Sequence, residues 1–195
     1  MSDLILASSS PYRKMLLQRL DINFSCHAPN IDESPQPNES PEALAQRLAI
    51  EKARTIAEKF PGAIVIGSDQ VAEHHGQVLG KPGTHQCATQ QLQAQSGQTV
   101  LFHSGLALVQ LLPDGTTKQI QLVDTTEVSF RQLSNNQIQR YLEREQPYDC
   151  AGSFKAEGLG ISLFNAVSSK DPSSLIGLPL ISLCSELQNF GVDIL

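Results

Sequence analysis

"AIVIGSDQVAE", residues 63–73, is the strongest strand signal in the chain. Five apolar or small residues, AIVIG, run without a charge. That suits a strand buried on both faces, as in a sheet covered by helices. Ser68, Asp69 and Gln70 follow and read as the carboxyl end of the strand. In α/β sheets ligands collect beyond strand carboxyl ends. Asp69 is therefore a candidate metal ligand or general base. The other reading of a lone aspartate is an Asx-turn or a helix cap. No clear helix follows, which weakens the cap.

Working outward, residues 4–13, "LILASSSPYR", repeat the strand-to-turn pattern. Leu4 to Ala7 read as a second buried strand. Ser10 reads as an N-cap and Pro11 as the first helical residue. Arg13 then adds a cation to a helix start that already carries partial positive charge. Two readings stand side by side. Arg13 is an ordinary exposed arginine, or it joins backbone N–H groups and serine hydroxyls around a phosphate.

Other segments complete an alternating pattern. Residues 22–28 read as a strand, and "PNIDESPQPNESPE" as an acidic loop. Ser40-Pro41-Glu42 opens a helix that runs to about Lys59. "HHGQVLGKPG" reads as a turn, a short strand and another turn. Thr84 caps a helix that ends near Gly97. Two long strands, around 100–111 and 119–130, flank an Asp114-Gly115 turn. Ser134 to Gln137 form a capping box for a helix to about Arg144. "DCAGSFKAEGLGISLF" reads as a glycine-spaced loop and a strand, and a last helix covers about 179–189. The prediction is an α/β fold with a mixed central sheet flanked by helices. Without a clean linker, residues 1–195 are expected to form one domain, with two lobes around a cleft as a variant.

Bulk properties exclude several classes. The chain has 195 residues, 40% of them hydrophobic, and a net charge of −6. That charge argues against a nucleic-acid polymer as partner. No segment is apolar for long enough to cross a membrane, and no signal-peptide pattern is read at the start. Cys26, Cys87, Cys150 and Cys184 are widely spaced, and are expected to be reduced, mostly buried thiols of a cytoplasmic protein. There is no G-x-x-x-x-G-K-[ST], G-x-G-x-x-G or G-x-S-x-G.

Some residues break the local pattern. On the helix from Pro41, Lys52 lies one turn from Leu48 and one from Ile56, on the apolar face. Either its stem packs and its ammonium snorkels to water, or the helix borders a cleft and Lys52 reaches into it. Asp32 and Glu33 read as solvated loop acids, and Lys81 as a turn lysine. His74 and His75 are adjacent; neighbours on a strand would point to opposite faces, so they are not expected to share a metal, and both are read as turn residues.

In series, "LASSSPYR", "DES", "RLAIEKA", "GSDQV", "GKP", "DCAGSFKAEG" and "GLPL" resemble the Maf family of nucleoside triphosphate pyrophosphatases, nearly end to end and in order. The resemblance implies a fold similar to the inosine-triphosphate pyrophosphatases, elongated with a central cleft. It also implies hydrolysis of a small-molecule nucleoside triphosphate to monophosphate and diphosphate with a divalent metal, Mg²⁺ or Mn²⁺. Ser8, Ser10 and Arg13 match the phosphate-binding motif. Glu33, Lys52, Asp69 and Lys81 match the other polar positions, Asp69 as proton acceptor and Glu33 with Asp69 as the metal carboxylates. A homodimer is left open.

Within the family, members acting on dTTP and UTP usually carry arginine, threonine and glutamine at three specificity positions. Here Tyr12, Gln70 and Glu157 stand there, and they resemble the branch acting on 7-methyl-GTP. Methylation at N7 makes guanine cationic. Tyr12 is expected to stack on it by cation–π attraction, Glu157 to accept the guanine N1–H and N2–H, and Gln70 to hold the base edge. The alternatives are a dTTP/UTP or other non-canonical nucleotide pyrophosphatase, or a non-catalytic nucleotide-sensing regulator of septum formation.

Overall fold

A computed structural model describes residues 3–195. The chain divides into two compact units. Of the described residues, those up to 70, 104–124 and 171–195 form the first, and residues 71–103 and 125–170 the second.

The first unit begins with β1 (Leu4–Ala7) and α1 (Pro11–Gln18). Ser10 is the N-cap and its hydroxyl accepts from the Arg13 N–H, with Pro11 next in line, as their order predicts. The strand expected over 22–28 shrinks to β2 (Ser25–Cys26), which pairs parallel with Ile5 and Leu6. Its flanks alternate exposed Asn23 with half-buried Ile22 and Phe24, so side-chain packing continues where backbone pairing does not. α2 (Pro41–Ala57) follows, with Ser40 as N-cap and Glu58 as C-cap.

β3 (Ile64–His74) corrects the reading of the central motif. Ser68, Asp69 and Gln70 do not end the strand; they lie inside it. Polar residues can stay in a buried strand when each side chain finds a partner, and these three do.

Alternation along the strands builds two cores. Leu4, Leu6, Ile64, Ile66, Leu106 and Leu108 face Leu16 and Leu17 of α1 and Leu183 and Leu187 of α5 (Leu180–Asn189). Ile5, Ala7, Val65, Ala107 and Val109 face Ala49, Ala53 and Ile56 of α2. Helices thus cover both faces of a sheet ordered β2-β1-β3-β5-β6, where β5 is Thr99–Leu111 and β6 Thr117–Phe130. β1 and β3 are parallel. α2 lies very close to the sheet. A Cβ at Gly67 would collide with the Ala49 carbonyl and with Ala53, and one at Gly105 with the Ala45 carbonyl.

In the second unit, β4 (Gln77–Leu79) pairs antiparallel with Ala72–His74. β7 (Phe164–Ser168) pairs antiparallel with the end of β6. α3 (His85–Gln95), capped by Thr84, packs against α4 (Asn135–Glu145), which opens on the predicted Ser134–Gln137 capping box. Phe102, Phe130, Phe154 and Phe164 form an edge-to-face aromatic core.

Two expectations fail. The His74 and His75 rings do not point apart; their centroids are 4.1 Å from each other. His75 has left the strand for the left-handed region, with φ +52°, so alternation no longer applies to it. Nor are the thiols mostly buried. Cys26 and Cys87 are exposed, and Cys150 and Cys184 half-buried. Each lies at an edge, on a helix surface or in a turn, away from the apolar stripes that periodicity marks. All four are free. Among the described residues no helix is long and apolar enough to cross a membrane.

Candidate functional site

The predicted polar residues of the first unit converge. Lys52 does not snorkel: it is 5% exposed, on the sheet-facing side of α2. Its Nζ lies 2.6 Å from Asp69 Oδ1 and 2.7 Å from Glu33 Oε1. Asp69 is 7% exposed, while the Glu33 side chain is 56% exposed. One ammonium therefore bridges a buried carboxylate and one open to solvent. A charge taken out of water needs such a partner, because removing it leaves an uncompensated ion. The small residues of α2 explain the reach. Ala45, Ala49 and Ala53 over Gly67 and Gly105 bring the helix down until Lys52 meets β3.

The loop that carries Glu33 is clamped to the same helix. Arg47 donates to both Glu39 oxygens, at 2.6 and 2.9 Å, to Glu51, and to the Ser34 carbonyl at 3.0 Å. This bonding pushes the Arg47 pKa up and the Glu39 pKa down. Asp32 does not join the Lys52 cluster but turns into its own loop, where Oδ1 accepts from the Ser34 N–H at 2.9 Å.

Arg13 completes the charged group. Burial lowers its pKa, and the fields of Asp69 and Glu33 oppose that shift. Its Nε–H donates to the Gly177 carbonyl at 2.9 Å. Ser8, buried, accepts from the Ser10 N–H at 3.0 Å, so the turn before α1 is held by its own hydroxyls. Gln70 gives its amide nitrogen to the carbonyls of Ser174 and Leu175. Tyr12 is half-buried in the first turn of α1. The sequence reading gives Ser68, Ser104 and Gly177 no role in the site. Ser104, polar within apolar β5, was the available signal.

Lys81 and Glu157 belong to the second unit. Lys81 is exposed on a loop pinned on both sides of it. The Gly80 carbonyl accepts from Gln91 at 3.0 Å, and the Gly83 N–H donates to the Tyr148 carbonyl at 2.9 Å. Glu157 is exposed on a turn held to α4. There the Leu159 N–H donates to Glu145 Oε2 at 2.7 Å and the Lys155 N–H to the Tyr141 hydroxyl at 3.1 Å. Lys155 Nζ donates to the Glu145 carbonyl.

Among the described residues no group of three or more His, Cys, Asp or Glu side chains could hold a metal alone. The two carboxylates at Lys52 still fit Mg²⁺ or Mn²⁺. Such ions take oxygen ligands and are commonly bound by one or two carboxylates together with substrate phosphates and water.

Comparison with known proteins places the chain among relatives of similar length. The 7-methyl-GTP pyrophosphatase of Xanthomonas axonopodis pv. citri is 55% identical over 194 residues, covering 100% of both chains. That of Nitrosococcus oceani is 55% identical over 192 residues, 98% of this chain and 95% of the other. Among solved structures, the Staphylococcus aureus Ham1 protein aligns over 96% of this chain and 100% of its own with a TM-score of 0.53, at 14% identity. That likeness bears on the fold alone. The Maf-like protein family model matches residues 3–190, and the chain belongs to that family.

Proposed function

We propose that the protein hydrolyses 7-methyl-GTP to 7-methyl-GMP and diphosphate, removing a modified nucleotide. The observation that carries the reading is the Lys52–Asp69–Glu33 cluster, built by a chain 55% identical along its whole length to a protein named for that reaction.

Hydrolysis breaks the anhydride between the first and second phosphates and forms a new P–O bond from water. Asp69 accepts the proton that the water loses. Lys52, 2.6 Å away, holds the carboxylate in place. The triphosphate carries about four negative charges near neutral pH, and Arg13 and Lys52 offset part of them. Ser8 and Ser10 hold the turn that presents Arg13. Glu33 and Asp69 would hold Mg²⁺ or Mn²⁺, whose contribution is to neutralise charge on the phosphates. Phosphoryl transfer needs mostly positioning and charge compensation, which this residue set supplies.

Base choice rests on Tyr12 stacking on the cationic ring, on the Gln70 amide oxygen at the base edge and on the carboxylate of Glu157. Lys81, as a further phosphate cation, and Glu157 enter the reading through the family resemblance.

The test is a panel of 7-methyl-GTP, GTP, dTTP, UTP and dITP with Mg²⁺ or Mn²⁺, products separated by ion exchange, with Asp69→Ala in parallel. Preferential release of 7-methyl-GMP and diphosphate, lost in the variant, is expected. Preference for dTTP and UTP would keep the chemistry and overturn the base assignment. Binding without turnover would favour a sensor.

A further inference from the structure

Ser68 and Gln70 stand two residues apart on β3, so their side chains leave the same face of the strand and Asp69 leaves the other. Both reach one element, the single 3₁₀ turn Ser174–Ile176 and the glycine that ends it. Ser68 Oγ donates to the Gly177 carbonyl at 2.9 Å. Gln70 Nε2 donates to the Ser174 and Leu175 carbonyls, each at 2.9 Å, and to Ser104 Oγ at 3.2 Å. The Ser104 hydroxyl donates to the Ser174 carbonyl at 2.7 Å. Carbonyl oxygens only accept, so chemistry sets which end of the Gln70 amide faces the turn. The Ser174 carbonyl also accepts from the Gly177 N–H at 2.9 Å, which closes the turn; the Leu175 and Gly177 carbonyls at its end take their donors from β3.

The start of the segment is equally fixed. Asp171 Oδ1 accepts from the Ser173 N–H at 2.8 Å, and Oδ2 accepts from the Ile181 N–H at 2.6 Å. Gly177 has φ +116°, a conformation that other residues adopt only with strain. Its carbonyl takes a second donor, Arg13 Nε, at 2.9 Å. One lone pair of that oxygen serves Ser68 and the other Arg13. Among the described residues this is the only hydrogen bond of the Arg13 side chain, so both amino groups remain for an anion.

We propose that Ser68 is a positioning residue for Arg13. Through the Gly177 carbonyl it sets the direction of the guanidinium, which is thereby presented to phosphate in one orientation. Gln70 and Ser104 hold the same turn from its other end. The proposal rests on the reading of Arg13 as a phosphate ligand.

A double-mutant cycle between Ser68→Ala and Arg13→Ala tests it. The readouts are kcat and KM for 7-methyl-GTP, the Kd of inorganic diphosphate by calorimetry, and the melting temperature. In the parent background, Ser68→Ala should raise KM about fivefold, as for one lost neutral hydrogen bond, leave kcat unchanged, and weaken diphosphate by a similar factor. In the Arg13→Ala background it should change neither KM nor Kd. Additive losses, or a melting shift with unchanged diphosphate affinity, would overturn the proposal. A wild-type KM in Arg13→Ala alone would instead remove the phosphate reading of Arg13, whatever Ser68 does. Should Ser68→Ala not fold, Ser68→Cys, which keeps the shape but donates only weakly, enters the same cycle under the same criteria.

Discussion

Lys52 Nζ sits within 2.7 Å of two carboxylates that differ in environment, Asp69 buried and Glu33 largely open to water. Removing the ammonium strands Asp69 in the interior. Lys52→Met is expected to destabilise the fold by about 3 kcal/mol, read from urea denaturation. Asp69→Asn keeps shape and hydrogen bonding and should cost far less stability. It should still lower kcat on the preferred triphosphate by about 10²–10⁴-fold, since the amide accepts no proton from water. Equal loss of stability in both variants would count against this division of labour.

The Arg47 clamp predicts a pH-dependent contribution to stability. The Glu39 pKa lies below its ordinary value near 4.5, chiefly because of the hydrogen bond from Arg47. A carboxylate depressed on folding stabilises above its unfolded pKa, and that stabilisation is lost as pH falls through the folded value. Glu39→Gln should therefore lower the melting temperature at pH 7, and the gap to the parent should close as pH falls through the folded value. A constant offset over that range would mean that charge is not the cause.

Helix α2 is set by what is missing beneath it. Gly67→Ala places a methyl against the Ala49 carbonyl and Ala53. The expected penalty is about 1–3 kcal/mol, as for other overpacked sites. The displaced helix also carries Lys52, so activity should fall further than in Gly80→Ala, where a Cβ meets nothing within 4 Å. Calorimetry and turnover of the two variants, side by side, check both statements.

The proposed function gives Glu157 the cationic base. Glu157→Gln keeps one acceptor oxygen, turns the other into a donor and removes the charge, which should lower kcat/KM for 7-methyl-GTP more than for GTP. A selectivity loss of about tenfold is the expected scale for a charge-assisted contact. Identical losses on both nucleotides would show that charge is not what the residue reads.

The cysteines should separate by exposure and ionisation. Cys150 is half-buried, and desolvation, followed by the field of Asp149, pushes its thiol up to about 12. Iodoacetamide at pH 8 should modify exposed Cys26 and Cys87 first and Cys150 far more slowly, because the thiolate is the nucleophile. Peptide mapping against time reads the order.

Much of this protein is legible along the chain because its signals are local. Ser10-Pro11, Ser40-Pro41 and Ser134 to Gln137 cap helices through bonds that span three or four residues. The alternation in β1 and β3 already sorts residues between two cores. Lys52 stood out by position alone, on an apolar stripe. What the sequence left undecided depends on residues far apart. The "SDQ" motif looked like a strand end because three polar residues interrupt an apolar run. It stays a strand because Lys52, Gly177 and Ser174 arrive from elsewhere in the chain to satisfy it. His75 departs from alternation at a turn whose backbone only the β3–β4 pairing imposes. The sequence by itself determined the helices, the strands and the chemical inventory, through periodicity and capping over a few residues. Tertiary structure decided which polar atoms are paired, because a buried donor or acceptor is satisfied by whatever the fold brings within 3 Å of it.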